Sequence, residues 1–300
     1  MSEREPSVAV TRDLHVAYYE GGPPDGEPVL LVHGFPDDAR TWDAVAADLA
    51  AAGYRTIVPF VRGFGQTRFV PGVVRTGEIA ALARDVLALA DSLEIERFHY
   101  VGHDWGARAG YGAAALAPRR VRSLTALGVA YGANAGNLPL PIDQTRAYWY
   151  QWYFATSRGE AELETNRYAF CRALWESWAP GWRFTGAEYD ATAASFRNPD
   201  FVAVAISSYR QRWGFAGGAP AYRKERAVLS AWPRLSVPTL VLMGRDDGAT
   251  LPSSADGKEV LFEGPYRLEI VPDSGHFIQR ERPELVAERV HAHLRAYEGT

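Results

Sequence analysis

The chain has 300 residues, 47% of them hydrophobic, and a formal net charge of −4. That is enough apolar material for one large core with or without a moderate insertion, and it excludes intrinsic disorder. The 32 Lys and Arg are interspersed with 36 Asp and Glu, which leaves no basic stripe for nucleic acid and no polybasic arm for membrane lipid, so a small molecule is the expected partner.

In chain order, MSEREPSVAV is charged and has no apolar h-region, and no later stretch is long and apolar enough to span a bilayer. A soluble, cytoplasmic protein is expected. SVAVTRDLHVAYYEGG alternates as two short strands before the turn cluster GGPPDGEP. PVLLVHGFP follows as a buried strand, TWDAVAADLAAAGY as a helix stopped at Gly53, YRTIVPF as a strand, and TGEIAALARDVLALADSL as an amphipathic helix. The GFG of Gly63 to Gly65 lacks a following Lys-Ser/Thr and reads as a turn. FHYVGHDWGA and VRSLTALGVAY continue the strand rhythm, which predicts a mostly parallel α/β sheet covered on both faces.

From about Ala133 to Leu229 the rhythm breaks. AYWYQWYFATSRGEAELE, RYAFCRALWESW and VAVAISSYRQRWG are aromatic and helical. The only cysteine, Cys171, lies here; it cannot form an internal disulfide and suits a reducing compartment. Strands resume at VPTLVLMGRDD and YRLEIVPDSGHF, and ERPELVAERVHAHLRAY closes with a helix. The expected organisation is a core of residues 1–132 and 230–300 with a helical cap, 133–229, inserted after the sixth strand. His291 and His293 fall on different faces of the last helix, so no metal site is expected there and both are read as solvated.

GHDWGA, Gly102 to Ala107, occupies the setting of the GxSxG nucleophile elbow, yet its centre is Asp104. Asp104 could simply cap its helix; a cap, however, does not require glycines two before and two after it, as a strained turn does. Beyond it, Asp247 follows the strand TLVLMG and His276 follows LEIV, giving the order nucleophile, acid, histidine. Asp247 is preferred over its neighbour Asp246. The other position for the acid, after the sixth strand, reads GVAYGAN and offers no carboxylate. The backbone N–H groups of Phe35 and Trp105 are the natural oxyanion donors.

From VLLVHGFP to GHFIQRERPE the sequence resembles the α/β-hydrolases of the epoxide hydrolase type, in the aspartate branch that also holds haloalkane and fluoroacetate dehalogenases. The resemblance implies an eight-stranded, mostly parallel sheet with a cap, and cofactor-independent, metal-free chemistry. Asp104 would attack a saturated carbon, forming an ester that His276, oriented by Asp247, hydrolyses with water. A serine in that place would form an ether, a dead end. WYQWYF and SYRQRW resemble the two cap motifs, so Tyr150 and Tyr209 would donate to the epoxide oxygen. Phe35, Trp105, Trp149, Gln151 and Trp152 are the expected substrate-binding residues, and Trp175, Trp178 and Trp213 join Trp149 and Trp152 as candidates for an aromatic cavity suited to a bulky apolar epoxide. They could equally be cap core.

Haloalkane dehalogenases are similar through Trp105, whose indole can bind halide, but Phe35 holds the slot of their usual asparagine donor. Fluoroacetate dehalogenases carry arginines in the slots of Trp105 and Arg108; with one present, Arg108 reads as a structural ion pair. Phe60 stands where relatives commonly carry an acidic residue. A non-catalytic ligand binder on the same fold is the rival from another class, and a homodimer is left open.

Overall fold

A computed structural model describes residues 5–133 and 139–299. Its sheet runs in the order β1 (Ser7–Val10), β2 (Leu14–Gly21), β4 (Arg55–Pro59), β3 (Pro28–Val32), β6 (Phe98–His103), β7 (Val121–Leu127), β8 (Thr239–Gly244) and β9 (Tyr266–Val271). The β1–β2 and β2–β4 pairs are antiparallel and all later neighbours parallel. A two-residue strand, β5 (Arg68–Phe69), pairs with β2 off this path, so the expected eight strands gain a ninth. Strands β6 and β8 are buried at every residue, and β3 at all but its first. That is why they read as continuous apolar runs: helices cover both faces of a parallel sheet.

The core helices are α1 (Asp43–Ala51), α2 (Ile79–Ser92), α3 (Trp105–Leu116), α10 (Ile278–Glu281) and α11 (Pro283–Arg295). Between β7 and β8, the described residues form only helices: α4 (Ile142–Ala147), α5 (Trp149–Phe154), α6 (Ser157–Trp178), α7 (Gly186–Ala193), α8 (Phe201–Arg212) and α9 (Arg223–Ser230), with short 3-10 turns. Residues 134–138, which include Asn134 of GVAYGAN and the start of the expected cap, lie outside the described residues.

These helices are bonded onto the core rather than tethered beside it. The Trp175 indole N–H donates to the Pro36 carbonyl at 2.7 Å, Ser195 Oγ to Asp38 at 2.7 Å, and Asn198 to the carbonyls of Gly65 and Thr67 at 3.1 and 2.8 Å. Arg280 ties Asp37 (2.6 Å) to Thr192 (2.9 Å) across the same seam. One buried cluster runs from the sheet into α5, α6 and α8, so sheet and insertion share a core.

Two smaller expectations change. His293 donates to the Pro238 carbonyl at 3.3 Å and His291 meets the Tyr54 ring edge-on, so neither is simply solvated. Phe60 packs against the rings of Tyr19 and His33 at 5.5 and 6.4 Å. Among the described residues, no helix is long and apolar enough to cross a membrane.

Candidate active site

Strand β6 ends at His103, and helix α3 begins at Trp105; Asp104 makes the turn between them with φ 48° and ψ −109°. An L residue adopts that backbone only under strain, which costs on the order of 1–3 kcal/mol. Its own side chain makes no capping bond to α3, so the cap-only reading fails. Instead, Asp104 Oδ1 accepts the Phe35 N–H at 3.0 Å. Gly34 permits this approach, since a Cβ there would lie 2.5 Å from Asp104 Cβ. With Oδ1 engaged, Oδ2 is the oxygen free to react. Trp105, the first residue of α3, has an N–H with no helical partner by construction, at the positive end of the helix.

Asp247 and His276 come from the loops after β8 and β9. His276 Nδ1 donates to Asp247 Oδ2 at 2.7 Å, while Asp247 Oδ1 accepts the N–H groups of Ala249 and Thr250 at 2.7 and 2.8 Å. Asp247 is buried and bonded to His276, whereas its neighbour Asp246 is exposed. Burial alone would lower the His276 pKa; the charge and hydrogen bond of Asp247, with smaller help from Asp104 and Glu281, outweigh it and raise the pKa above its ordinary value. His276 Nε2 is buried without a hydrogen-bond partner among the described residues. Such a nitrogen can take a proton from water while the ring is held on its other side.

His103 packs beneath His276 with ring centroids 4.6 Å apart and donates through Nε2 to the His276 carbonyl at 2.9 Å. Burial and the neighbouring imidazole push its pKa down to about 3, so it stays neutral and adds no competing charge. Glu281 accepts the N–H groups of Gly275 (2.8 Å) and Phe277 (3.1 Å), fixing the histidine loop from both sides. Sequence reading missed both residues; the signals that could have found them are their positions, His103 directly before Asp104 and Glu281 five residues after His276.

The insertion supplies the opposite wall. Phe35 stacks on Trp105 (5.4 Å), and Tyr209 of α8 contacts both, edge-on to Phe35 at 5.5 Å and tilted to Trp105 at 5.8 Å. Tyr150 of α5 stands edge-on to Tyr209 at 5.4 Å and leads to Trp178 at 4.9 Å, which in turn meets His276 edge-on at 5.0 Å. Burial, followed by the charge of Asp104 for Tyr150 and by Tyr150 and Asp104 for Tyr209, raises both phenol pKa values well above the ordinary value. Both groups therefore remain proton donors. Gln151 Nε2 donates to the Tyr150 oxygen at 2.7 Å, and its Oε1 accepts the Trp213 indole N–H at 2.8 Å. Tyr209 Oη makes no hydrogen bond of good geometry among the described residues.

Several expected substrate contacts need correction. On α5, Tyr150, Gln151 and Phe154 are buried, whereas Trp149 is 47% exposed and packs on Tyr153 and Phe170. Trp152 donates to the Thr145 carbonyl at 3.1 Å and lies against Trp213 at 4.5 Å. The helical period turns Trp152 to the face opposite Tyr150, while Trp149, one position before Tyr150, lies edge-on to the outer side of the Tyr150 ring at 6.4 Å. Gln151 has both ends of its amide committed, so it positions Tyr150. Arg108 forms no ion pair among the described residues, against expectation, and its buried Nε has no partner.

The layered sheet, the strained turn and the Asp104, Asp247 and His276 grouping together define an α/β hydrolase. A family model described as alpha/beta hydrolase fold matches residues 27–283, and the chain belongs to that family. A Klebsiella pneumoniae crystal structure, provisionally assigned as an epoxide hydrolase, is 38% identical, covers 97% of both chains and superposes with a TM-score of 0.92. Epoxide hydrolase A of Mycobacterium tuberculosis is 29% identical over 91% of this chain and 92% of its own. Epoxide hydrolase of Caballeronia sordidicola is also 29% identical, over 95% and 92%.

Proposed function

We propose that the protein is an epoxide hydrolase that converts an epoxide and water to a vicinal diol. The observation that carries this reading is the pair of buried phenols, Tyr150 and Tyr209, facing one another beside an aspartate turn. An epoxide oxygen leaves as a tethered alkoxide and takes a proton as the ring opens; two phenols kept protonated by burial suit that demand.

In the first step Asp104 Oδ2 attacks an epoxide carbon, the C–O bond breaks, and a tyrosine proton passes to the departing oxygen. In the second, His276 Nε2 takes a proton from water, whose oxygen adds to Asp104 Cγ. The Phe35 N–H, already on Oδ1, and the Trp105 N–H hold the oxyanion. Collapse breaks the Cγ–Oδ2 bond and releases the diol with Oδ2 as its new oxygen, protonated by the His276 imidazolium, while the proton left on Asp104 returns to the tyrosinate. Single turnover in ¹⁸O-water tests this: label should enter Asp104 and be missing from the first-turnover diol. Label appearing directly in that diol would mean direct attack by water.

Each phenol should contribute to ring opening alone. Tyr209→Phe and Tyr150→Phe are expected to slow ester formation by about 10²-fold each, within the usual range for proton transfer, and to leave ester hydrolysis near the wild-type rate. Rapid-mixing fluorescence separates the two steps; an unchanged first step in both variants would remove the tyrosines from the mechanism.

The second step should follow the His276 proton. Because the imidazole pKa is raised and the base must be neutral, ester hydrolysis should increase with pH through an inflection above about 6.5. Asp247→Asn removes the main raising influence, so the inflection should move to lower pH as the rate falls.

A halide reading has one observation behind it. The indole nitrogens of Trp105 and Trp178 are both buried without hydrogen-bond partners among the described residues, and two indole donors can hold a departing halide. Halide release from haloalkanes, assayed beside diol formation, tests that reading. The aromatic lining favours a bulky apolar or aromatic substrate, and a cytoplasmic setting accords with the single, buried thiol of Cys171.

A further inference from the structure

Beside the candidate site lies a cavity of about 390 Å³, between the core helices α2 and α3 and the insertion helices α8 and α9. Its walls include three arginines, Arg108, Arg212 and Arg226, and a single carboxylate, Glu78. Arg226 and Glu78 pair at 2.7 Å, and Glu78 Oε1 also accepts the Ala219 N–H at 2.7 Å, so that pair is satisfied. Two positive charges remain.

Neither remaining guanidinium has a counter-ion among the described residues. Arg108 is 6% exposed, and its Nε is a buried donor without an acceptor. Arg212 lies over the Tyr209 ring at 4.9 Å, and its one hydrogen bond is a long contact of 3.5 Å to Gln151 Oε1; its Nε also lacks an acceptor. Burial, then the like charge of Arg108, lower the Arg212 pKa and outweigh the opposing pull of Tyr209, the Asp104 carboxylate and Tyr150, none of which forms an ion pair with it. A buried guanidinium and a half-buried one that repel each other are costly to hold without an anion in contact with them.

The rest of the lining tells what kind of anion would fit. Tyr111, Tyr131 and Trp232 form a continuous aromatic wall, with centroid spacings of 5.1 and 5.2 Å. The hydroxyls on that wall are already committed, Tyr111 to the Val129 carbonyl (3.0 Å) and Tyr131 to the Pro233 carbonyl (2.9 Å). The cavity therefore offers two forked donors at one side and apolar ring faces elsewhere, the recognition chemistry of an organic carboxylate with an apolar body.

We propose that this cavity binds such a carboxylate between Arg108 and Arg212. Arg108 lies one turn along α3 from Asp104, its N–H donating to the Asp104 carbonyl at 3.0 Å, and Arg212 touches Tyr209. An acid held here sits next to the reacting groups. It would be either the acid end of an epoxy-acid substrate, which rests on the epoxide hydrolase reading, or a separate aromatic acid.

Calorimetric titration of the whole protein with 4-phenylbutyrate and with its neutral amide tests binding without reference to turnover. The acid should bind at least about tenfold more tightly than the amide, as one desolvated charge-assisted pair suffices to give. Arg108→Gln and Arg212→Gln should abolish that preference, and either variant that keeps the wild-type melting transition decides the matter. Equal binding of acid and amide by the wild type, or a preference that survives in the folded variants, overturns the proposal.

Turnover then separates the two sources. If the carboxylate belongs to the substrate, kcat/KM for an aryl epoxide bearing a carboxylate should exceed that for its methyl ester by about tenfold or more, and Arg108→Gln should erase the difference. If it belongs to a separate acid, acid and ester should react alike while 4-phenylbutyrate changes the rate on a neutral epoxide. Binding of the acid with no epoxide consumed at all would leave the cavity assigned and remove the epoxide hydrolase reading instead.

Discussion

Replacing His276 by alanine is expected to yield a protein that reacts once and then stops, carrying one substrate equivalent on Asp104. In the proposed sequence the imidazole has no part in ring opening: Asp104 Oδ2 supplies the nucleophile and the tyrosines the proton. It is needed when water must add to the ester, because Nε2 is the one ring nitrogen not already tied to Asp247. The expected loss in kcat is at least about 10³-fold, with ester formation slowed far less. Intact-protein mass spectrometry after mixing His276→Ala with an aryl epoxide should show a mass gain equal to the whole epoxide, and peptide mapping should place it at Asp104. Asp104→Asn should show neither gain nor turnover. A folded His276→Ala protein that never acquires the adduct would end the covalent scheme.

The parallel strands and the turn around Asp104 were legible in the sequence because both rest on short-range rules. Buried strands demand unbroken apolar runs, as in β6 and β8, and a strained strand-to-helix turn demands glycine at 102 and 106. Asp247 and His276 were legible for a related reason: each lies immediately beyond a strand whose end the pattern marks. The roles of the tryptophans were not. Trp149, Trp152 and Trp178 are chemically alike, and only the phase of α5 and α6 about their axes turns the first two outward and brings the third against His276. Arg108 was misread because an ion pair is settled by what lies opposite in three dimensions, and opposite it lies Arg212, about a hundred residues later in the chain. The two-residue β5 is too short to leave any periodicity.

Gly106→Ala is expected to damage both the fold and the candidate site severely. A Cβ at position 106 would lie 2.6 Å from the Val32 carbonyl carbon and closer still to its oxygen. The obstacle is therefore the backbone of β3, not a side chain that can rotate away. Nor can the helix retreat: the Gly106 carbonyl accepts the Tyr100 hydroxyl at 2.7 Å from below, and a Cβ at Gly102 would already lie 2.5 Å from Gly106. To admit the methyl group, α3 must lift off β3. That movement opens the Phe35 N–H contact with Asp104 and relaxes the φ of 48° that holds the carboxylate out of its helix. Backbone overlap of this kind should cost more than about 3 kcal/mol, a large part of the roughly 5–15 kcal/mol that stabilises a folded domain. Urea unfolding should show the loss, and diol formation should fall with it. Gly181→Ala, where nothing lies within 4 Å, should change stability by less than about 0.5 kcal/mol. If Gly106→Ala instead melted with the wild type, β3 and α3 would not be in contact at this turn, and Asp104 would owe its strained geometry to something other than the two glycines beside it.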